Sequence, residues 1–259
     1  MNAPLPSAPR GSALRVEGLG LQIGGATILK DVELDVAPGS LVGVIGPNGA
    51  GKTTLFNVIS GLVKPTAGRI VLDDHDITST SVAARARAGL GRTFQTSSLF
   101  PKLTVLENVR LAAQVSLGGS ASLFRFPRVG DAATRVAHDK LEAVGLGHKV
   151  DALAGDISHG DKRKLEIAVL LATESSLVLL DEPMAGVASG DVAGLVENIR
   201  AMQREKGCTV LMVEHHIDVL LGLVDRVAVT YFGTIIAFDT PQKVTADPLV
   251  QSAYLGTAA

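Results

Sequence analysis

The chain has 259 residues, and its 24 basic and 26 acidic side chains give a formal net charge of -2. This balance excludes the overall positive charge that typifies a protein bound to nucleic acid or to an anionic membrane surface. Although 46% of the residues are hydrophobic, no uncharged apolar run approaches the roughly 18 residues of a spanning helix, so we expect a soluble chain that could dock on a membrane protein.

Residues 1–13, with the sequence MNAPLPSAPRGSA, predict a disordered tail. They are rich in Pro, Ala and Ser and lack the apolar stretch of a secretory signal. The single cysteine, Cys208, has no partner for an internal disulfide and begins a run typical of a buried strand. Both features favour a reducing cytoplasm.

Short apolar runs predict strands along most of the chain after the tail. These strands cover residues 14–16, 32–36, 41–45, 69–72, 177–180, 209–213, 226–231 and 234–238. Helix-length segments over 52–60, 189–205 and 216–223 suit crossover connections, which predicts a parallel layer in the middle and C-terminal parts. The first strands follow each other more closely and predict an antiparallel flank.

Between residues 104 and 173 the pattern changes to helices with few strand signals. The predicted helices cover 104–115, 131–144 and 158–172. Between the first two lies LGGSASLFRFPRVG, residues 117–130, which is small, polar and punctuated by Pro and Gly and predicts an irregular connection. The whole segment predicts a helical insert in an α/β protein.

A glycine-rich loop, GPNGAGKT, follows the apolar strand at 41–45 and precedes a predicted helix. This is the strand–loop–helix context of a phosphate-binding loop, whose glycines allow backbone N–H groups to face phosphate oxygens. The lysine is expected to reach the β- and γ-phosphates and the following threonine to bind Mg²⁺. We predict that nucleotide is bound by Gly46, Pro47, Asn48, Gly49, Ala50, Gly51, Lys52, Thr53 and Thr54. The alternative is a simple glycine-rich turn with an exposed lysine.

A second motif, SLVLLDEP, delivers two carboxylates to the end of an apolar strand. In phosphoryl-transfer sites such a pair divides the work between metal binding and orientation of the attacking water. We predict that Asp181 binds Mg²⁺ and that Glu182 acts on the water. Taken alone, the motif is equally compatible with a helix cap after a core strand.

Three further motifs identify a family. They are GRTFQTSSLFPKLTVLENV, which contains Gln95, SHGDKRKLEIA, which begins at Ser158, and VEHH, which contains His215. With the phosphate loop they resemble the Q-loop, signature motif and H-loop of ATP-binding cassette (ABC) proteins. The segments LEIA, LLDEPMAG and DPLVQSAYLG resemble those of the LivG type of ATPase, which serves importers of branched-chain amino acids and of urea or other small amides.

The resemblance implies a P-loop NTPase core with a mostly parallel sheet, an antiparallel β flank and a helical subdomain. In that division residues 14–95 and 174–259 form the core and about 96–173 form the helical subdomain. The resemblance also implies that Gln95 contacts Mg²⁺ or the attacking water and that His215 contacts the γ-phosphate. Ser158 and Gly160 are expected to cover ATP that is held by a second cassette.

Three positions depart from the family pattern. Ile23 stands where an aromatic ring usually stacks on adenine, so it offers apolar contact without a π-face. Asp161 replaces the usual signature glutamine and brings a carboxylate close to the partner's γ-phosphate, which either impairs catalysis or acts as a harmless helix cap. Ala188 replaces an Asp or Asn and cannot donate across a dimer interface.

The resemblance implies an ATPase of an importer on the inner face of the bacterial membrane, with ATP and Mg²⁺ as cofactors. Its expected partners are two permeases of the LivH and LivM type, a LivF-type ATPase or a second copy, and indirectly a periplasmic solute-binding protein, with no nucleic acid. Leu99, Phe100 and Leu103 either accept a permease helix or fill the core of the insert. The alternatives are the ATPase of a lipopolysaccharide exporter and a regulatory subunit without transport.

Overall fold

A computed structural model describes residues 11–93, 99–117 and 131–255 of the chain. It contains an antiparallel and a mostly parallel β-sheet, with helices around the second. Residues 1–10 of the predicted tail and 118–130 of the predicted irregular connection lie outside the described residues. None of the helices within the described ranges combines the length and the apolar character that a membrane crossing requires.

The antiparallel sheet has four strands in the order β2-β1-β4-β5. Its strands are β1 (Leu14–Ile23), β2 (Ala26–Val36), β4 (Ala67–Leu72) and β5 (His75–Asp76). The predicted antiparallel flank is therefore confirmed, although β1 and β2 are longer than predicted. The pairing register of β1 with β2 shifts between Val16 and Leu19, where Gly18 has a φ of 56°. Such irregularities disrupt the alternation of apolar and polar residues from which a strand is predicted.

The second sheet has six strands in the order β10-β9-β3-β8-β7-β6. These are β3 (Leu41–Ile45), β6 (Leu90–Arg92), β7 (Leu177–Asp181), β8 (Thr209–Val213), β9 (Arg226–Tyr231) and β10 (Thr234–Asp239). The strands from β9 to β6 are parallel, which confirms the predicted parallel layer. β10 departs from that layer because the short turn after β9 returns the chain antiparallel to it.

The helices of the described residues are α1 (Lys52–Ile59), α2 (Val82–Arg87), α3 (Val105–Ser116), α4 (Ala132–Ala143), α5 (His159–Thr173), α6 (Ser189–Lys206), α7 (Ile217–Leu223), α8 (Pro241–Ala246) and α9 (Pro248–Leu255). The predicted helical insert corresponds to α3, α4 and α5, which pack on one another. Thr104 begins α3 with a capping box to Glu107, Asp131 caps α4, and Ser158 caps α5. These side chains satisfy backbone N–H groups that a helix leaves without intrahelical partners.

The parallel sheet separates two hydrophobic cores because successive residues of a strand point to opposite faces. Val42 and Val44 of β3 pack towards the antiparallel sheet and α1, whereas Leu41 and Ile45 pack in the core that includes α3, α4 and α5. Parallel strands bring their carboxyl ends to the same edge of a sheet, and β3, β8 and β7 are neighbours. The segments that follow these strands therefore lie side by side.

Candidate nucleotide-binding and hydrolysis site

Residues 46–51 form a loop that follows β3 and leads directly into α1. At its end, Gly51 has a φ of 95° and takes the N-cap position of α1. A Cβ on Gly51 would lie 3.0 Å from Leu29 Cδ2, and one on Gly46 would collide with the main chain of Thr230. No side chain caps α1 within the part of the chain that the structure describes. The first N–H groups of α1 are thus left for a ligand, as an anion site at a helix N-terminus requires.

Lys52 lies against this loop with only 7% of its surface exposed. Its ammonium donates hydrogen bonds to the carbonyl oxygens of Gly46, at 2.7 Å, and Pro47, at 3.0 Å. Burial lowers the pKa of Lys52 below its ordinary value, and the nearby charges of Glu182 and Asp181 partly oppose that shift. The loop thereby holds a cation beside its open N–H groups.

A cleft of about 350 Å³ opens over the loop. Its lining includes Asn48, Gly49, Ala50, Gly51, Lys52, Thr53, Thr54, Glu182 and His215, so the cleft brings together most of the predicted site residues. Ile28 of β2 also lines it, whereas Ile23 lies at the end of β1 with 57% of its surface exposed. The sequence did not predict Ile28 because apolar strand residues are usually core residues.

Asp181 ends β7 and is 1% exposed. Its Oδ2 accepts a hydrogen bond from Arg92 at 3.0 Å, while its Oδ1 is buried without a hydrogen-bond partner among the described residues. Burial raises the pKa of this carboxyl, and the hydrogen bond and charge of Arg92 partly offset the rise. A buried carboxylate oxygen without a hydrogen-bond partner is suited to bind Mg²⁺ or a water of its coordination shell.

Arg92 links Asp181 to the end of the phosphate-loop helix. Besides its bond to Asp181, it donates to Ser60 Oγ at 2.7 Å, and Ser60 is the C-cap residue of α1. The guanidinium side chain is 5% exposed, and its Cζ lies 5.9 Å from the ring centroid of Phe56. Arg92 therefore fixes one carboxylate oxygen of Asp181 and leaves the other for a ligand.

Glu182 and His215 contact each other in the cleft. Glu182 Oε1 lies 2.9 Å from His215 Nε2, although the two residues are 33 positions apart in the sequence. Their side chains are 22% and 49% exposed, respectively, so both are accessible from the cleft. A carboxylate within hydrogen-bonding distance of a histidine is a suitable arrangement for holding and deprotonating a water.

Ser158, Gly160 and Asp161 form the start of α5, which we call the signature segment. Ser158 Oγ accepts the N–H of Asp161 at 3.2 Å and donates to its Oδ2 at 2.9 Å. Lys149 also donates to that oxygen, at 2.6 Å. Partial burial raises the pKa of Asp161, but the hydrogen bonds from Lys149 and Ser158 outweigh it, so the pKa lies below its ordinary value. The carboxylate is thus kept charged and neutralised by Lys149.

Comparison with known proteins identifies the family. The family model described as "ABC transporter" matches residues 29–185, more than half of the chain. The chain belongs to the ABC transporter family. A second family model, "Branched-chain amino acid ATP-binding cassette transporter", matches residues 234–259.

Individual relatives share nearly the full length of this ABC protein. The high-affinity branched-chain amino acid transport ATP-binding protein LivG of Escherichia coli strain K12 is 37% identical over 250 residues, which cover 95% of this chain and 98% of LivG. The lipopolysaccharide export system ATP-binding protein LptB of the same strain is 34% identical over 248 residues, covering 95% and 98%. A crystal structure of an ABC transporter's ATP-binding cassette in its ADP conformation superposes with a TM-score of 0.83 at 34% identity, covering 95% of this chain and 99% of that one.

Three of the residues predicted for the ABC site do not line the cleft as described. Gln95 lies outside the described residues, so its predicted contact with metal or water stays a prediction. Ser158 and Gly160 do not line the cleft of their own chain; they lie at the start of α5. Gly160 is close to Asp191 of α6, because an added Cβ would lie 3.3 Å from Asp191 Oδ2.

The sequence analysis missed three charged residues that organise this ABC site. Arg92 binds Asp181, Lys149 binds Asp161, and the buried Glu214 accepts backbone N–H groups beside Glu182 and His215. Arg92 and Glu214 each lie within a quoted motif, Arg92 three residues before Gln95 and Glu214 directly before His215. That position was the available signal, although it does not reveal which group each side chain contacts.

Proposed function

We propose that this chain is the ATP-hydrolysing subunit of an ABC importer for branched-chain amino acids or related small polar solutes. The observation that carries the proposal is the cleft in which the phosphate loop, Glu182 and His215 meet. The solute class is supported by the C-terminal match at residues 234–259 and by the LivG relative. Retention of Glu182 with its histidine partner favours turnover over a purely regulatory role.

In the proposed reaction, the N–H groups of the phosphate loop bind the triphosphate chain and Lys52 binds its β- and γ-phosphates. Glu182 accepts a proton from the attacking water while His215 holds Glu182 in place and contacts the γ-phosphate. Thr53, Asp181 and Gln95 would hold Mg²⁺, which neutralises charge on the phosphates when bound. Ile28 and Ile23 offer the base only apolar contact, so phosphate contacts carry most of the affinity.

The signature segment supports a dimer of cassettes as the active unit. Its helix N-terminus carries Ser158 and Gly160 outside the chain's own cleft, so those groups are suited to the nucleotide of a second cassette. Closing the pair over ATP would exclude water, and hydrolysis would release it. Asp161 and Ala188 alter the half of the interface that serves the partner, which favours an unequal pair with a LivF-type ATPase over a homodimer.

An apolar groove provides a docking surface for the permeases. It has a volume of about 760 Å³ and is lined by α2, β6, α3 and α5, and its rim includes Leu62, Val82 and Val115, all exposed. The predicted docking residues do not line this groove: Leu99, which is half-buried, and Phe100, which is 57% exposed, line a smaller pocket beside it, and Leu103 is half-buried outside both. Exposed apolar residues around a groove are typical of a helix-binding surface. We assign this groove to permeases of the LivH and LivM type, which would keep the chain on the inner face of the membrane and couple it to a periplasmic solute-binding protein.

The same arrangement supports the proposed division of the chain into a core, residues 14–95 and 174–259, and a helical subdomain, about 96–173. The helices α3, α4 and α5 pack mainly on one another. On one side the groove is lined by α2 and by the connection between α1 and β4, and on the other side by α3 and α5. A permease helix bound there would contact both subdomains.

Uptake in cells tests the proposed solute class. Deletion of the gene in its own bacterium should abolish ATP-dependent uptake of radiolabelled leucine, isoleucine or valine, or of urea. The parent protein should restore uptake and the Lys52→Ala variant should not. Normal uptake of all these solutes after deletion would contradict the proposal, and accumulation of lipopolysaccharide precursors would instead favour the LptB-like export function.

A docking variant tests the groove. Val115→Asp should reduce co-purification with the permeases, because Val115 lines the groove with 63% of its surface exposed and the variant places a charge on this apolar surface. Leu249→Asp is a matched control, since Leu249 is 56% exposed in α9, away from the groove. Equal loss in the two variants would show that the groove is not specific for the permeases.

A further inference from the structure

Glu214 is a buried carboxylate that lies between the two catalytic segments of the cleft. It is 2% exposed and follows β8 directly. Its Oε1 accepts the backbone N–H of Met184 at 2.7 Å, and its Oε2 accepts the backbone N–H of His215 at 3.1 Å. The two oxygens of one side chain thereby join the segment after β7 to the segment after β8.

The segment after β7 needs support on both sides of Glu182. Glu182 has a φ of 50°, a left-handed conformation that is unfavourable for a residue with a Cβ. Such a conformation persists only where the surroundings fix it. The N–H of Glu182 donates to the carbonyl of Val213 at 3.0 Å, and its carbonyl accepts the N–H of Ala185 at 3.1 Å. The bond from Met184 to Glu214 holds the chain on the C-terminal side.

The segment after β8 carries the partner of Glu182. His215 Nε2 lies 2.9 Å from Glu182 Oε1, and this distance depends on where both backbones are placed. Glu214 accepts the N–H of the histidine itself and the N–H of Met184, which is two residues beyond the glutamate. His216 Nδ1 lies a further 3.5 Å from Glu214 Oε2.

A carboxylate is an unfavourable choice for a buried position unless its acceptors are used. An apolar side chain of similar size would fill the same space without the cost of removing a charge from water, but it would leave two N–H groups unsatisfied. The two acceptor oxygens of Glu214 therefore explain why a carboxylate stands here. Neither Asp nor a single hydroxyl has both the reach and the number of acceptors.

We propose that Glu214 is a positioning residue for hydrolysis, which sets Glu182 against His215 by holding the backbone of both segments. Met184 also begins the segment 184–188 that leads into α6, and this segment faces the second cassette in the proposed dimer. Displacement of the segment by the partner would reach His215 through the same carboxylate. The inference rests on the proposed ATPase function.

Kinetics of Glu214 variants in the assembled transporter test this role. In Glu214→Ala, kcat should fall at least about tenfold, as expected for loss of a charge-assisted hydrogen bond. KM and the Kd for ATP should stay within about twofold because the phosphate loop is untouched. Glu214→Gln should lie between the parent and Glu214→Ala, since its amide keeps one acceptor oxygen. Glu197→Ala is the control, because Glu197 is exposed on α6, and it should match the parent.

Hydrogen exchange supplies a readout that does not depend on turnover. The amides of Met184 and His215 should exchange faster in Glu214→Ala than in the parent or in Glu197→Ala, and Glu214→Gln provides the same comparison if the alanine variant does not fold. Unchanged exchange at both amides, parent-like kcat in Glu214→Ala, or an equal loss of kcat and ATP affinity would overturn the inference. An inactive parent would refute the proposed function, while the exchange data would still decide whether Glu214 holds the two segments.

Discussion

The phosphate loop and the signature segment both place a lysine beside a helix N-terminus, but they are built differently. Lys52 is buried and donates to loop carbonyls, and no side chain from the described residues caps α1. Lys149 is 36% exposed and donates to the carboxylate of Asp161, whose own N–H is already capped by Ser158 at the start of α5. The first site leaves its donors open for a ligand, whereas the second has a carboxylate that must be neutralised. Of these two helix N-termini, that of α1 is therefore the one without a side-chain cap.

Loss of the phosphate-loop lysine should give the largest effect. Lys52→Ala should weaken ATP binding at least about tenfold and abolish measurable turnover, because the proposed site holds ATP mainly through its phosphates. Titration with a fluorescent ATP analogue measures the affinity. Binding as tight as in the parent would show that the base, and not the phosphate chain, carries the affinity.

Disruption of the buried pair Arg92–Asp181 should give the second largest effect, on the Mg²⁺ requirement. Arg92→Lys keeps the charge but loses the fork that reaches Asp181 and Ser60 together. The Mg²⁺ concentration needed for half-maximal ATPase activity should rise about tenfold, as for other residues that orient a metal ligand. Ser60→Ala is the control that removes only one of the two contacts. An unchanged Mg²⁺ requirement in Arg92→Lys would remove Arg92 from this role.

Substitution in the signature segment should reduce ATPase activity less, and a second substitution should restore it. Lys149→Ala removes the cation that neutralises the carboxylate of Asp161. If that carboxylate faces the partner's phosphate as proposed, ATPase activity of the assembled pair should fall about threefold, the size expected for a partly exposed ion pair. Adding Asp161→Gln should restore activity because the repelling charge is gone. If the double variant is as impaired as Lys149→Ala, the lysine does not act by neutralising Asp161.

Stability should show the smallest effect, with a defined dependence on pH. Because the pKa of Asp161 lies below its ordinary value of 3.8, its contribution is fully present above that value and is lost as the pH falls through the lowered pKa. Asp161→Asn should therefore reduce the free energy of unfolding by about 1 kcal/mol at neutral pH, and less below pH 3.8. Urea unfolding at several pH values measures this difference, and a constant difference would exclude ionisation of Asp161 as its cause.

The sequence predicted the parts of the site that are contiguous in the chain. The phosphate loop and the pair Asp181–Glu182 follow apolar strands, and their chemistry is contained in short motifs. The contact of Arg92 with Asp181 joins residues 89 positions apart, and that of Glu214 with Met184 joins residues 30 apart. Such contacts depend on strand order, which periodicity does not reveal. The strand β5 was missed for a different reason, because two residues at a sheet edge give too weak a pattern.

The central claim is that the phosphate loop binds ATP and that Glu182 accepts the proton of the water that hydrolyses it. The most direct measurement is the identity of the nucleotide retained by Glu182→Gln in the assembled transporter, after incubation with radiolabelled ATP and Mg²⁺. We predict that this variant binds ATP as tightly as the parent and retains it uncleaved, while the parent releases phosphate. Release of phosphate by Glu182→Gln at the rate of the parent would contradict the account.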